Sequence, residues 1–238
     1  MARLIAAVTS PVVRLTTVDS TQRFAAELAR NGAADGTAVV ADTQTAGKGR
    51  RGRAWHDTPG ASLLVSVIMR TSLPPARRAT LSLLAGVAVA ETLRTAGVTA
   101  KLKWPNDALV NGKKIAGVLL EAYGDAVVVG IGINVAREAV PPALEERATS
   151  VAQAGGVPDR ELILHALLRA LDDWRSRLER EGFDAVRERW TSLSETVGNL
   201  VSADRLTGTA VGIDHDGALL IATDAGVVRV IAGDVAAG

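Results

Sequence analysis

Between Lys101 and Asn134 the chain turns back on itself repeatedly, and this constrains its fold more than any other feature. Lys101 to Trp104 reads as a strand stopped by Pro105. Ala108-Leu109-Val110 leads through Asn111-Gly112 into Lys113 to Ala122, and Gly124-Asp125 then leads into Ala126 to Asn134. Asn-Gly supplies the two left-handed residues that a type I′ hairpin turn needs. Consecutive hairpins make antiparallel neighbours and leave no place for the crossover helices of a doubly wound parallel sheet. The predicted fold is therefore α+β, with a mixed, mostly antiparallel sheet flanked by helices.

The flanking elements fit that scheme. Asp19-Ser20-Thr21-Gln22 has the spacing of a capping box, ahead of a helix from Thr21 to about Asn31. Thr37 to Ala41 and Ser62 to Met69 read as strands, and Pro74-Pro75 opens an apolar helix running to about Ala96. Asp159 caps a helix from Glu161 to Arg180 whose apolar stripe is Leu162, Leu167, Leu168, Leu171, Trp174 and Leu178. A shorter helix ends near Trp190. Short alternating strands then follow, separated by Gly208, Asp214-His215-Asp216-Gly217 and Asp224-Ala225-Gly226, and five of them predict a small β-barrel. The boundary falls between Thr191 and Thr196, dividing the chain into residues 1–192 and 193–238.

Composition removes several classes of function. With 27 Lys and Arg against 26 Asp and Glu, the net charge of +1 exerts no global pull on nucleic acid or membrane. There is no cysteine, so disulfides, thiolate metal sites and a thiol nucleophile are excluded, which agrees with a reducing cytoplasm. His56, His165 and His215 are far apart and show no metal-ligand spacing, so no metal ligands are assigned. The apolar start Leu4 to Val8 is too short for a signal-peptide core, and no uncharged run is long enough to cross a bilayer.

Three stretches carry chemistry. Gly47-Lys48-Gly49-Arg50-Arg51-Gly52 has the letters of a dinucleotide fingerprint without the helix that must follow it. What remains is a glycine loop able to approach a ligand closely, laced with guanidinium groups suited to phosphate and carboxylate oxygens. Taken alone, an exposed basic loop is the simpler reading. Lys103-Trp104-Pro105-Asn106-Asp107 places Asn106 and Asp107 just past a strand end, near Lys113 and Lys114, although a plain turn between solvated lysines reads the same way. In Gly130-Ile131-Gly132-Ile133-Asn134 the two glycines share one strand face, which serves either tight packing or a flat ligand lying on the backbone.

Taken in order, Asp19-Ser20-Thr21, Gln44 through Trp55, Lys103 through Asp107, Lys114-Ile115-Ala116-Gly117 and Gly130 through Asn134 resemble the biotin protein ligase family. The resemblance is strong from about Asp19 to Asn134 and looser beyond. It implies the class II aminoacyl-tRNA synthetase/biotin ligase type of fold with an SH3-like C-terminal barrel. It also implies an enzyme that forms biotinyl-5′-AMP from biotin and ATP with Mg²⁺, then biotinylates a lysine of a biotin carboxyl carrier protein.

By the same resemblance, Ser20, Thr21 and Gln44 bind the neutral ureido head, and Gly47, Lys48, Gly49 and Gly117 complete the biotin site. Arg50 and Arg53 bind the phosphates of ATP, while Lys114 bridges the biotin carboxylate and the α-phosphate. Trp55, Asn106, Gly130, Gly132 and Asn134 belong to the nucleotide site, with Asn106 and Asn134 at the adenine. Lys114, Arg50 and Asp107 form the catalytic set. Gln22 stands where the family usually has Asn, and Lys48 where Arg is common.

A lipoate ligase shares this fold and chemistry, but the head-group residues and Lys-Trp-Pro-Asn-Asp favour biotin. A thioester-forming acyl transferase is excluded by the absence of cysteine. About eighteen residues before Ser20 are too few for a helix-turn-helix, so no DNA partner is expected. A noncatalytic biotin-binding module would not require Lys114 and Arg50.

Overall fold

The computed structural model describes residues 11–203 and 206–237; the apolar stretch Leu4 to Val8 lies outside them. Strands β4 (Lys101–Lys103), β5 (Asp107–Val110), β6 (Lys113–Tyr123) and β7 (Ala126–Asn134) follow one another as antiparallel neighbours. Asn111 at φ 51° and Gly112 at φ 75° make the left-handed pair expected at the β5–β6 turn. Strand β3 (Ser62–Arg70) pairs antiparallel with β7, β2 (Ala38–Gln44) antiparallel with β3, and β1 (Val12–Val18) parallel with β2. The seven strands run in the order β1-β2-β3-β7-β6-β5-β4. Strand β1 has no counterpart among the elements expected from the sequence, although its valines and threonines favour a strand and Ser10-Pro11 stands just before it.

The two sheet faces are covered differently. Helix α1 (Thr21–Arg30) lays Ala25, Ala26 and Ala29 on Val39, Ile68, Ala126 and Val128. The opposite face, with Val65, Val67, Val127, Val129 and Ile131, belongs to a core shared with α2 (Thr80–Thr95), α3 (Arg160–Glu181) and α4 (Phe183–Leu193). Helix α2 does not begin at Pro74-Pro75. Pro75–Arg77 form a 3₁₀ turn, and Leu81 and Ser82 still bond to carbonyls three residues back. The Asp159 side chain caps α3 as expected, accepting from the backbone N–H groups of Glu161 and Leu162. Leu162, placed in the apolar stripe, is instead 45% exposed, and Ile163 and Leu164 are buried in its place.

The capping box of α1 does not form. Ser20 is the N-cap residue and makes no side-chain cap bond. Asp19 accepts from the Ser20 N–H, while Gln22 is buried in the protein and donates to the Val128 carbonyl at 3.0 Å. The buried amide acceptor on β7 outcompetes a cap exposed to water.

The C-terminal residues form a second antiparallel sheet of β8 (Leu200–Ala203), β9 (Leu206–Ile213), β10 (Leu219–Thr223), β11 (Gly226–Val230) and β12 (Val235–Ala237), in the order β11-β10-β9-β8-β12. The five predicted strands are all present. The Trp104 indole N–H donates to the Gly217 carbonyl at 3.1 Å, and its backbone N–H to Thr196 Oγ1 at 2.9 Å. Trp104 thus fastens the second sheet to the turn that carries Asn106 and Asp107.

Candidate active site

Cross-strand register assembles the floor of the site. Asp107, Gly117, Gly132 and Leu64 form one row across β5, β6, β7 and β3. Leu119, Gly130, Ser66 and Val39 form the adjacent row, and Val39 lies under α1. Paired residues share a face, so both rows continue the α1 side of the sheet beyond its alanines. Three glycines leave that continuation open as a cleft of about 150 Å³. All the site residues expected from the sequence line it except Gly47 and Asn134.

One end of the cleft is polar and uncharged. Gln44 Oε1 accepts from the Thr21 N–H at 2.8 Å and from its hydroxyl at 3.0 Å. Ser66 Oγ lies 2.9 Å from Thr21 Oγ1 and 3.2 Å from Gln22 Oε1. Ser20, Thr21, Gln22 and Ser66 are all buried. Such a set satisfies a neutral group that both donates and accepts hydrogen bonds, and itself supplies no positive charge to an anion.

The other end is cationic. Lys114 Nζ sits 2.7 Å from Asp107 Oδ1, and Asp107 is the one carboxylate among the lining residues. Arg50 Nη1 donates to Asn106 Oδ1 at 3.2 Å, and Asn106 Nδ2 donates to the Val118 carbonyl at 2.7 Å. Burial pulls the Arg50 guanidinium below its ordinary pKa, opposed chiefly by Asp234. Of the lysines near Asp107 in sequence, Lys113 bonds to the Glu145 carbonyl instead and Lys101 is exposed. Ser66 on β3 and Asp107 on β5 are three strand spacings apart, about 14 Å.

The glycine loop closes on itself. Trp55 donates to the Gly47 carbonyl at 3.0 Å and Gly49 to the Arg53 carbonyl at 2.6 Å, with a bridge pairing Lys48 and Ala54. Gly47 is buried beneath this closure, and a Cβ there would come within 3.0 Å of the Gln44 amide.

The closure carries the Trp55 indole onto β7. A Cβ at Gly132 would lie 2.5 Å from the indole, and one at Gly130 would lie 2.5 Å from Gln22 Oε1. Both glycines line the cleft and make room there for the Trp55 and Gln22 side chains. Ala54, Trp55 and Lys114 line both the cleft, which includes Asn106, and a second cavity, which includes Asn134, Val140, Leu144 and Ala148. The Trp55 indole N–H is buried with no hydrogen-bond partner among the described residues. Gly132→Ala is expected to dislodge the indole and cost about 1–3 kcal/mol. An unchanged melting temperature together with unchanged tryptophan emission would contradict this packing.

Comparison with known proteins agrees with this geometry. Residues 15–136 match the Biotin/lipoate A/B protein ligase family, and residues 199–238 match the Biotin protein ligase C terminal domain. The chain belongs to the biotin protein ligase family. It is 36% identical over 230 residues to a Paracoccus denitrificans biotin–acetyl-CoA-carboxylase ligase, covering 89% of this chain and 94% of that one. The Bacillus subtilis bifunctional ligase/repressor BirA is 38% identical over 234 residues, covering 93% of this chain and 72% of the relative. Among solved structures, the Aquifex aeolicus biotin protein ligase in complex with biotin and ATP superposes with a TM-score of 0.84 at 31% identity, covering 95% of this chain and 97% of that one.

For a biotin ligase, the sequence reading missed two parts of the cleft's surroundings. Ser66 lies in an apolar strand, where a lone serine carries no pattern. Asp234 accepts from Arg53 Nη2 at 2.8 and 2.9 Å and joins the site from the second sheet. Trp174, placed in the apolar stripe, is buried in the core, as is Trp190, and Trp104 joins the second sheet to the residues just before β5.

Proposed function

We propose that this chain joins biotin to ATP, forming biotinyl-5′-AMP and pyrophosphate, and then transfers biotin to a lysine of a biotin carboxyl carrier protein. One observation carries the reading: a neutral hydrogen-bonding pocket at α1 and β3 and a cationic pair, Lys114 from β6 and Arg50 from the glycine loop, line opposite ends of one cleft, the layout needed by an elongated ligand with a ureido head and a carboxylate tail. In the first step a carboxylate oxygen attacks the α-phosphorus, the bond to the β-phosphate oxygen breaks, and pyrophosphate leaves. Both reactants are anions, so Lys114 and Arg50 act by holding positive charge where it accumulates. Arg53 contributes to the phosphate site, and the cavity behind Trp55, with Asn134, supports an adenine site.

In the second step the acceptor amine attacks the acyl carbon and AMP departs with the anhydride oxygen. Asp107 orients the amine and takes its proton. Mg²⁺ accompanying ATP fits this cleft through phosphate oxygens and water, with Asp107 as the one lining carboxylate.

The named relatives support a carboxylase carrier as acceptor, and ATP use without cysteine supports a cytoplasmic setting. Among the described residues no helix is long and apolar enough to cross a membrane. The change from α4 to the second sheet supports a division into a catalytic part, residues 1–192, and a smaller part, residues 193–238.

The alternative substrate, lipoate, has a dithiolane head without N–H or C=O groups. It would leave Thr21, Gln44 and Ser66 facing an unresponsive ligand, and sites built for hydrogen bonding reject such analogues strongly. Incubation with ATP, Mg²⁺ and a carrier domain, with biotin or lipoate in separate reactions, is expected to add the mass of biotin only. Mass gain from lipoate at a comparable rate would overturn the substrate assignment.

A further inference from the structure

The corner Gly233-Asp234, just before β12, reaches from the second sheet to the glycine loop. Arg53 Nη2 donates to both oxygens of Asp234, at 2.9 and 2.8 Å, and the Nη1 atoms of Arg51 and Arg50 lie 3.9 and 4.0 Å from the same carboxylate. The Gly233 carbonyl accepts from Arg50 Nη1 at 3.3 Å. One carboxylate thus stands among three guanidinium groups in a loop whose glycines do little to fix it.

The physical consequence follows from charge. Three arginines within four residues repel one another, and the repulsion favours open forms of the loop. Asp234 offsets one charge and leaves a cationic surplus for an anion. The side chain of Arg50 is 22% exposed and faces the cleft, held between the Asn106 oxygen and the Gly233 carbonyl. Arg53, 63% exposed at its side chain, does the gripping.

We infer that Asp234 is a positioning residue for the nucleotide: by gripping Arg53 it sets the loop so that Arg50 meets the phosphates, and its influence falls on ATP rather than on biotin. This rests on the cleft being an ATP-dependent biotin site. The corner contacts Arg50, Arg51 and Arg53 and none of the neutral-pocket residues Thr21, Gln44 and Ser66; biotin keeps those contacts and Lys114 when the corner is lost, so the two substrates respond differently.

The test compares Asp234→Ala, Asp234→Asn and Asp234→Glu in the full chain, measuring adenylate formation with varied ATP and varied biotin. A wild-type protein that makes no adenylate would sink the functional reading itself. With an active wild type, the alanine and asparagine variants are expected to raise KM for ATP about fivefold, the worth of a well-placed surface ion pair, and to leave KM for biotin within twofold. Glutamate should restore most of the loss, and Asp234→Ala should add nothing in an Arg53→Ala background. An unchanged KM for ATP, an equal rise for both substrates, or failure of both neutral variants to fold would overturn the inference. A lower KM for ATP would overturn it too, because the carboxylate would then be competing with the phosphates.

Discussion

Replacing Lys114 with alanine is expected to slow biotinyl-adenylate formation by about a thousandfold while leaving the Kd for biotin within about tenfold. Its ammonium reaches the cationic end of the cleft from β6, beside Gly117 and 5.7 Å from the Trp55 ring. Binding a carboxylate is helped modestly by that charge. The pentacoordinate phosphorus, where negative charge concentrates between two anions, depends on it far more. Removal also strands Asp107, whose Oδ1 is 2.7 Å from Lys114 Nζ, as an uncompensated negative charge facing the incoming phosphates. Single-turnover quench measurements at saturating ATP isolate the chemical step, and calorimetry gives biotin binding. An adenylation rate within threefold of wild type would remove Lys114 from the mechanism.

Asp107→Ala separates the two half-reactions. An acceptor lysine with an ordinary pKa of about 10.4 is almost wholly protonated at neutral pH and cannot attack the acyl carbon until it loses that proton. A carboxylate beside the anhydride attracts the ammonium, orients it and accepts the proton, so its removal should slow transfer from preformed adenylate by at least about a hundredfold. Adenylation should fall less, by about tenfold or below, through the loss of the partner that fixes Lys114. Because the missing function is deprotonation, raising the pH from 7 to 9 should recover much of the variant's transfer rate by supplying free amine. Normal transfer with defective adenylation would assign Asp107 to the nucleotide or its metal instead.

How much of this was readable beforehand depended on whether a residue's chemistry or its partner carried the information. Lys114, Arg50 and Gln44 stand in short stretches of unusual composition, and the antiparallel order of β4 to β7 is written in Asn111-Gly112 and Gly124-Asp125. Gly130 and Gly132 were visible as small residues on one face, yet what fills the space above them depends on Gln22 and Trp55, more than seventy residues away in sequence. Ser66 and Asp234 acquire meaning only from register and from the docking of the second sheet. The late start of α2 is not legible locally because Pro74-Pro75 suits the first turn of a 3₁₀ helix as well as that of an α-helix.

The contact between Gln22 and Gly130 bears on how such a cleft changes over generations. The Gln22 amide occupies the space a Cβ at position 130 would need, so a larger residue there requires the end of that side chain to move from its bonds to Ser66 and the Val128 carbonyl. A shorter amide at position 22 would leave that space free, although it would also draw back from the Val128 carbonyl. The order of mutation therefore matters: a lineage can shorten position 22 first and then enlarge position 130, whereas the reverse route passes through an intermediate in which Gln22 must move. What position 130 can hold is thus set by the side chain at position 22, which is a steric coupling across the helix–sheet contact.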